Sequence, residues 1–348
     1  MVAHLTPLSP FHRHDGCAGL RITWLASTLL ALVLLFLWGC APISPAPVQS
    51  LTDGRSGRIR FATRTMRYDT FLQGGASSPE AMISGGLRLP KGNGRGPAVV
   101  LVHGSSGVST SQRRWASGLS KAGYVTFLLD SFTGRSIRET ATNQRRLSSA
   151  SMIYDAYRAL DLLVTHPRVD PKRVALMGFS KGGIVALYAA LDRFHALNGT
   201  PGLRYAAHLP FYPGCSIEFR DLGKISSVPI RIFHGELDDW TPAKPCLDLV
   251  KVWRERGVDI DMTVYPDAHH GFDVFTLPAT RYRANVQNFE CTIVENADHV
   301  LINRDTGEPL KFTDACVLQG ATIGYHPEAA RQANLDVRAA LVTFLGPL

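Results

Sequence analysis

Three groups of side chains in this 348-residue chain have the types and the order of a nucleophilic relay. Gly178-Phe179-Ser180-Lys181-Gly182 is a G-x-S-x-G pattern lying between an apolar run and a helix-like stretch. A serine at such a turn attacks carbonyl carbon only if a base removes its proton. An acid, Asp238 or Asp239, follows about 58 residues later, and a base, His269 or His270, about 32 after that. Each stands just past an apolar, strand-like run, Ile230 to His234 and Met262 to Tyr265. In a parallel sheet those ends share one edge, where sites gather. Only one of each adjacent pair can serve. Asp238 and His270 are favoured, leaving Asp239 to a loop or cap and His269 to a neighbouring polar or packing role. A developing oxyanion needs two donors. The backbone N–H groups of Ser105, in the small-residue loop His103-Gly104-Ser105-Ser106-Gly107, and of Lys181 are the candidates. The run His269-His270-x-x-Asp273 has no third metal ligand at a sensible spacing, and no metal or cofactor is expected.

These residues need elements to hold them. Pro97 to Val102 is a continuous apolar run, as a strand buried on both faces requires. Further strands are expected at Tyr124 to Leu129, Arg173 to Gly178 and Ala206 to Phe211. Arg58 to Thr63 and Gly86 to Leu89 read as edge strands. Helices are expected at Ser111 to Lys121, Gln144 to His166, Lys181 to Leu191, Pro242 to Arg256 and Glu328 to Leu345. This alternation predicts a mostly parallel central sheet with helices on both faces, in one domain over residues 57–348. The stretch 281–325 breaks the rhythm. It reads as an insertion before the last helix, with a hairpin of Thr292 to Glu295 and Val300 to Asn303. G-x-S-x-G needs glycine two residues either side of the serine because the strand-to-helix turn leaves no room for side chains.

Together the motifs resemble the dienelactone hydrolase family of the α/β-hydrolase superfamily. The matching stretches are Leu101-Val-His-Gly104, Leu129-Asp-Ser-Phe132 with Arg135, Val169-Asp170 through Gly178-Phe-Ser-Lys-Gly-Gly183, His234-Gly-Glu-Leu-Asp238, and Tyr265 through His270-Gly-Phe272. The resemblance implies an α/β-hydrolase fold with Ser180 as nucleophile, Asp238 as acid and His270 as base. The founding enzymes carry Cys at the nucleophile and Glu after the first-loop His; here these are Ser180 and Gly104, which points to an ordinary serine esterase acting on a small-molecule ester or lactone. Phe132, Arg135, Phe211, Tyr212 and Trp240 are candidate pocket residues, Arg135 for a substrate carboxylate. A serine peptidase resembling the prolyl oligopeptidase group and a non-catalytic binding lipoprotein are the alternatives. The stretch between Cys40 and Pro97 is too short for the gate that such peptidases usually carry.

The net charge of +8 comes without a dense basic block, so nucleic acid is not an expected partner. Residues 1–39 read as an export signal or N-terminal anchor: Arg21 precedes an uncharged apolar run from Ile22 to Trp38. Leu37-Trp38-Gly39-Cys40 resembles the bacterial lipobox, which implies lipidation of Cys40 and a membrane-anchored protein on the periplasmic side. Residues 40–56, rich in proline, read as a tether. In an oxidising compartment the remaining Cys215, Cys246, Cys291 and Cys316 are expected to pair. Of three connectivities, Cys215–Cys246 and Cys291–Cys316 are favoured, because the first pair lies past neighbouring strand ends and the second brackets the insertion.

Overall fold

The computed structural model describes residues 47–75, 77–220, 224–225 and 227–348. The apolar segment 22–38 and residues 40–46 of the proline-rich stretch, Cys40 among them, lie outside the described residues. What is described of that stretch is not a free tether: Leu51 is fully buried, and its N–H donates to Thr165 Oγ1 at 2.7 Å. Among the described residues no helix is long and apolar enough to cross a membrane.

The centre is an eight-stranded sheet of order β1-β2-β4-β3-β5-β6-β8-β9. Its strands are β1 (Gly57–Arg64), β2 (Glu80–Arg88), β3 (Gly96–Val102), β4 (Val125–Asp130), β5 (Val169–Phe179), β6 (Ala207–Phe211), β8 (Ile230–Gly235) and β9 (Ile260–Tyr265). From β4 to β9 every pairing is parallel; β1 and β2 are antiparallel additions. Gly86 to Leu89 is therefore no edge, since β2 lies between β1 and β4. The apolar run in β3 is explained by its two faces. Ala98, Val100 and Val102 enter one core cluster, while Val99 and Leu101 enter the other. Helices α2 (Thr110–Lys121) and α7 (Pro327–Leu345) cover the second face through Trp115, Leu119, Val337 and Leu341. Helices α3 (Ser149–Leu163), α4 (Lys181–Tyr188), α5 (Asp192–Asn198) and α6 (Ala243–Glu255) pack on the first, with short α1 (Tyr68–Leu72).

The helix expected from Gln144 begins later. Gln144–Arg146 is a 3-10 turn, Leu147 is extended, and Ser148 caps α3 by accepting the Ser151 N–H. The insertion holds the expected hairpin, β11 (Ile293–Glu295) against β12 (Leu301–Asn303). It also holds a pair not foreseen, β10 (Arg281–Phe289) against β13 (Val317–Ile323). The hairpin docks on the core: β11 runs parallel to β7 (Ile217–Glu218), and buried Glu295 forms a salt bridge with Arg193. Both favoured disulfides are present, Cys215–Cys246 and Cys291–Cys316.

Arg135 departs from expectation. Its side chain is 5% exposed and is spent inside the fold. The guanidinium donates to Asp155 Oδ2 and Oδ1 at 2.7 and 2.8 Å, to Thr65 Oγ1, and to the carbonyls of Ser131 and Arg64. All five donors are thus used, and none is left for a substrate carboxylate. Asp155, fully buried, also accepts from Thr63 Oγ1 at 2.6 Å. Removing one partner leaves a buried charge uncompensated. Asp155→Ala should lower unfolding free energy by about 3–5 kcal/mol in a urea titration. A loss under about 1 kcal/mol would show that water reaches the pair.

Candidate active site

The site is built on a turn that ordinary residues cannot make. Ser180, between β5 and α4, has φ +56° and ψ −117°, a sparsely populated conformation for a residue with a Cβ. A Cβ added to Gly178 would lie 1.9 Å from the Gly182 carbonyl oxygen, and one added to Gly182 would lie 2.3 Å from that of Val102. The backbone of β3, β5 and α4 closes on the serine from three sides, so only glycine fits there.

The three side chains meet. His270 Nε2 stands 2.9 Å from Ser180 Oγ, and His270 Nδ1 stands 2.8 Å from Asp238 Oδ2. Asp238 accepts two backbone N–H bonds, from Trp240 at 3.0 Å and Thr241 at 2.8 Å, on its other oxygen. The ionised carboxylate thus accepts a hydrogen bond from Nδ1–H, which leaves Nε2 as acceptor toward the serine hydroxyl. Burial pushes the Asp238 carboxyl up, but the His270 imidazole, its hydrogen bond, His234 and the Thr241 N–H together hold it below the usual range. His270 is 4% exposed and lies between two rings, Tyr212 at 4.7 Å and Trp240 at 4.8 Å. His269 points elsewhere, with Nδ1 3.0 Å from the Leu237 carbonyl. Asp239 turns to the insertion, accepting from Thr322 N–H and Oγ1.

Facing Ser180 is the loop after β3. Buried His103 fixes it: Nε2 accepts the Ser131 N–H at 3.2 Å, so Nδ1 carries the proton and donates to the Gly104 carbonyl at 2.8 Å. Burial pushes the His103 imidazole down, which keeps it neutral for that task. A Cβ on Gly104 would lie 3.0 Å from the Phe179 carbonyl oxygen and 3.1 Å from Ser180 Cβ. Lys181 opens α4, where the first backbone N–H groups have no partner within the helix. Ser105 N–H stands at the second position of a turn closed by Gly107 N–H to the Gly104 carbonyl.

The pocket candidates separate. Trp240 and Ser105 line, with Ser180, one cavity of about 900 Å³. Phe132 does not; it is buried behind the first loop, its ring edge-on to His103 at 4.3 Å. Phe211 is fully buried core. Tyr212 is buried too, and supports His270 from behind: its hydroxyl donates to Asp273 at 2.5 Å, and Trp115 Nε1 donates to the same carboxylate at 2.8 Å. Motif reasoning supplied no role for Asp273, whose spacing after His270-Gly-Phe was the one available signal.

It also missed the Lys181 side chain. Its Nζ is buried under the first loop within hydrogen-bonding reach of four oxygens, the carbonyl of Leu147, Gln144 Oε1 at 2.9 Å, Thr140 Oγ1 at 3.3 Å and the Gln144 carbonyl at 3.4 Å, which share its three donors. Gln144 in turn donates through Nε2 to Ser105 Oγ at 3.0 Å.

With this geometry in view, comparison with known proteins is informative. The model of the family described as "Dienelactone hydrolase family" matches residues 83–287. The chain belongs to the dienelactone hydrolase family. Membership makes it a hydrolase with an α/β-hydrolase fold. Among curated relatives, a Bradyrhizobium protein named "Probable 2-oxo-3-(5-oxofuran-2-ylidene)propanoate lactonase" is 26% identical over 201 residues, covering 53% of this chain and 77% of that one. A provisionally named carboxymethylenebutenolidase of Aquifex aeolicus is 24% identical over 201 residues, 55% of this chain and 81% of its own. The crystal structure of a provisionally named dienelactone hydrolase from Klebsiella pneumoniae aligns with TM-score 0.51 at 15% identity, covering 83% of this chain and 100% of that one. That likeness is one of fold. The insertion from Asn288 onward lies beyond the family match.

The buried amine has a measurable signature. Burial pushes the Lys181 ammonium down to about 7 from its ordinary 10.5. Between those values the unfolded chain binds the proton more tightly, so this lysine makes stability rise with pH from about 7; below 7 its cost is fully present. The buried tyrosines, raised by burial, act above pH 10 and stay out of a pH 7–9.5 window. Over that window the urea midpoint of the wild-type chain should climb more steeply than that of Lys181→Met. Equal slopes would mean the oxygen cage holds Lys181 fully charged.

Proposed function

We propose that the chain is a serine hydrolase of carboxylic esters or lactones, working through an acyl-enzyme. The observation that carries this reading is the unbroken line from Ser180 Oγ through His270 to Asp238, with both contacts under 3 Å. In the first half-reaction Ser180 Oγ attacks the carbonyl carbon while His270 Nε2 takes the hydroxyl proton. Asp238 remains ionised and stabilises the imidazolium. The N–H groups of Ser105 and Lys181 receive the oxyanion, each worth about 3–4 kcal/mol in comparable sites. Collapse breaks the ester C–O bond, and His270 returns its proton to the departing alkoxide. Water then adds to the acyl carbon by the same relay, releasing the acid and restoring Ser180. Gly104 supports a serine rather than a cysteine site, since it lacks the founding enzymes' acidic side chain, and a Cβ there would crowd the Phe179 carbonyl and Ser180 Cβ.

We also take the chain to be exported and anchored through Cys40. The two disulfides favour an oxidising compartment, and the uncharged run 22–38 favours a signal. Palmitate labelling of cells expressing the full chain should mark the protein and disappear in Cys40→Ser; equal labelling of both would remove the anchor from this reading.

Nitrophenyl acetate hydrolysis tests the mechanism. Ser180→Ala should abolish turnover, a serine-reactive phosphonate should label Ser180 alone, and Asp238→Asn should lower kcat by about 10⁴ through the wrong imidazole tautomer. Turnover in Ser180→Ala at the wild-type rate would overturn the proposal.

A further inference from the structure

The insertion does more than lengthen the chain: it supplies part of the wall of the cavity that opens on Ser180. Another part comes from the core, with Ile184 one turn along α4 from the serine, Tyr68 of α1 and Ile217 of β7. The same cavity is lined by Val300, Leu310 and Phe312 of the insertion. All six are only partly covered, although each is apolar. Apolar side chains left partly exposed around one concavity, rather than scattered singly, mark a binding surface.

Size points the same way. About 900 Å³ lies near the top of the range for small-molecule sites, roughly 300–1,000 Å³. A simple lactone ring would leave most of it to water against apolar walls. The walls are also fixed in advance. Cys291–Cys316 closes the insertion on itself, Cys215–Cys246 ties the loop beside Ile217 to α6, and Leu310 N–H donates to the Leu301 carbonyl at 3.0 Å. A preformed wall avoids the ordering cost that a mobile loop would impose on binding. The charged groups on this cavity, Arg67, Asp69, Arg145, Lys181, Glu290 and Lys311, are of both signs, and Lys181 is spent on the oxygens around its Nζ. Arg67 pairs with Asp69, and the Arg145 guanidinium lies over the Phe312 ring at 5.7 Å. Nothing in that arrangement selects an anionic substrate.

We propose that the insertion sets specificity for esters bearing an extended, uncharged apolar group of about eight or more carbons, which lies between Ile184 and Phe312 while its carbonyl meets Ser180. This rests on the hydrolase reading for the reaction, but the apolar site can be tested without any chemistry. In the full chain with disulfides formed, each methylene that enters the cavity should raise kcat/KM about fourfold until the space is filled. Nitrophenyl decanoate should then exceed nitrophenyl acetate by at least about thirtyfold. Leu310→Asp, which puts a charge on the insertion's part of the wall, should collapse that ratio to within about threefold. Val300→Asp is the second variant should the first fail to fold, as thermal melting will show.

Binding of 2-dodecanone, an uncleavable twelve-carbon ketone with a ten-carbon chain, to Ser180→Ala separates the two ideas. Calorimetry should show saturable binding with a negative heat-capacity change, weakened at least about tenfold by Leu310→Asp or Val300→Asp. Absence of saturable binding, or binding and chain-length ratio unmoved by both wall variants, would overturn this inference whatever Ser180 does. Failure of the phosphonate to label Ser180, with ketone binding intact, would instead sink the hydrolase reading and leave the apolar site standing.

Discussion

The closeness of three backbones around Ser180 governs the rest of the molecule. At φ +56° the serine leaves β5 and enters α4 in one residue, and the carbonyls of Gly182 and Val102 lie where side chains of its neighbours would project. Such a turn costs on the order of 1–3 kcal/mol and persists only where its surroundings over-determine it. Those surroundings are β3 and β5, buried on both faces by two apolar clusters. The strain and the sheet are therefore one design. The continuous apolar runs make a rigid floor, and the floor holds a serine whose hydroxyl stands clear of the backbone at the start of a helix.

The loops that must reach this serine are held by buried polar contacts rather than by packing. His103 pins the first loop, Asp273 with Tyr212 and Trp115 pins the loop of His270, and Lys181 with Gln144 sits beneath Ser105. The insertion joins the same arrangement. Asn288 Nδ2 donates to the Asp239 carbonyl, Thr322 holds the Asp239 carboxylate, Gln287 Oε1 accepts the Gln144 N–H, and Gly324 N–H donates to the His270 carbonyl. One added segment touches the loop of Asp238, the loop of His270 and the stretch beside Ser105. A segment attached so widely cannot shift without disturbing all three, which suits a wall whose shape decides what enters.

This division explains what the sequence made legible. Continuous apolar runs and the G-x-S-x-G glycines report short-range necessities, so β3, β5, the Ser180 turn and the chain order of Asp238 and His270 could be read directly. Side chains whose task is set by partners far along the chain could not. Arg135 looked free because its partner Asp155 lies in a helix twenty residues on, and its five acceptors come from three separate stretches. Phe132 and Tyr212 follow strand ends, as pocket residues do, yet face inward to His103 and Asp273. The strands β10 and β13 were missed for the same reason. Their pairing spans a disulfide-closed loop, and Arg281–Phe289 carries charge enough to read as surface.

Two kinds of economy thus meet at one edge of the sheet. Most polar groups there are buried and paired, Ser131 Oγ, His234 Nε2 and Asn288 Oδ1 excepted, because an unpaired buried donor or acceptor costs about 1–3 kcal/mol. Apolar groups at the cavity are left partly uncovered, which forgoes the roughly 25 cal/mol per Å² that burial would return. A fold selected for stability alone would close that cavity, since the hairpin that could fill it is already present and crosslinked. That it stays open beside Ser180, behind a wall stiffened by disulfides, argues that the stability forgone by the wall is recovered when an apolar ligand covers it.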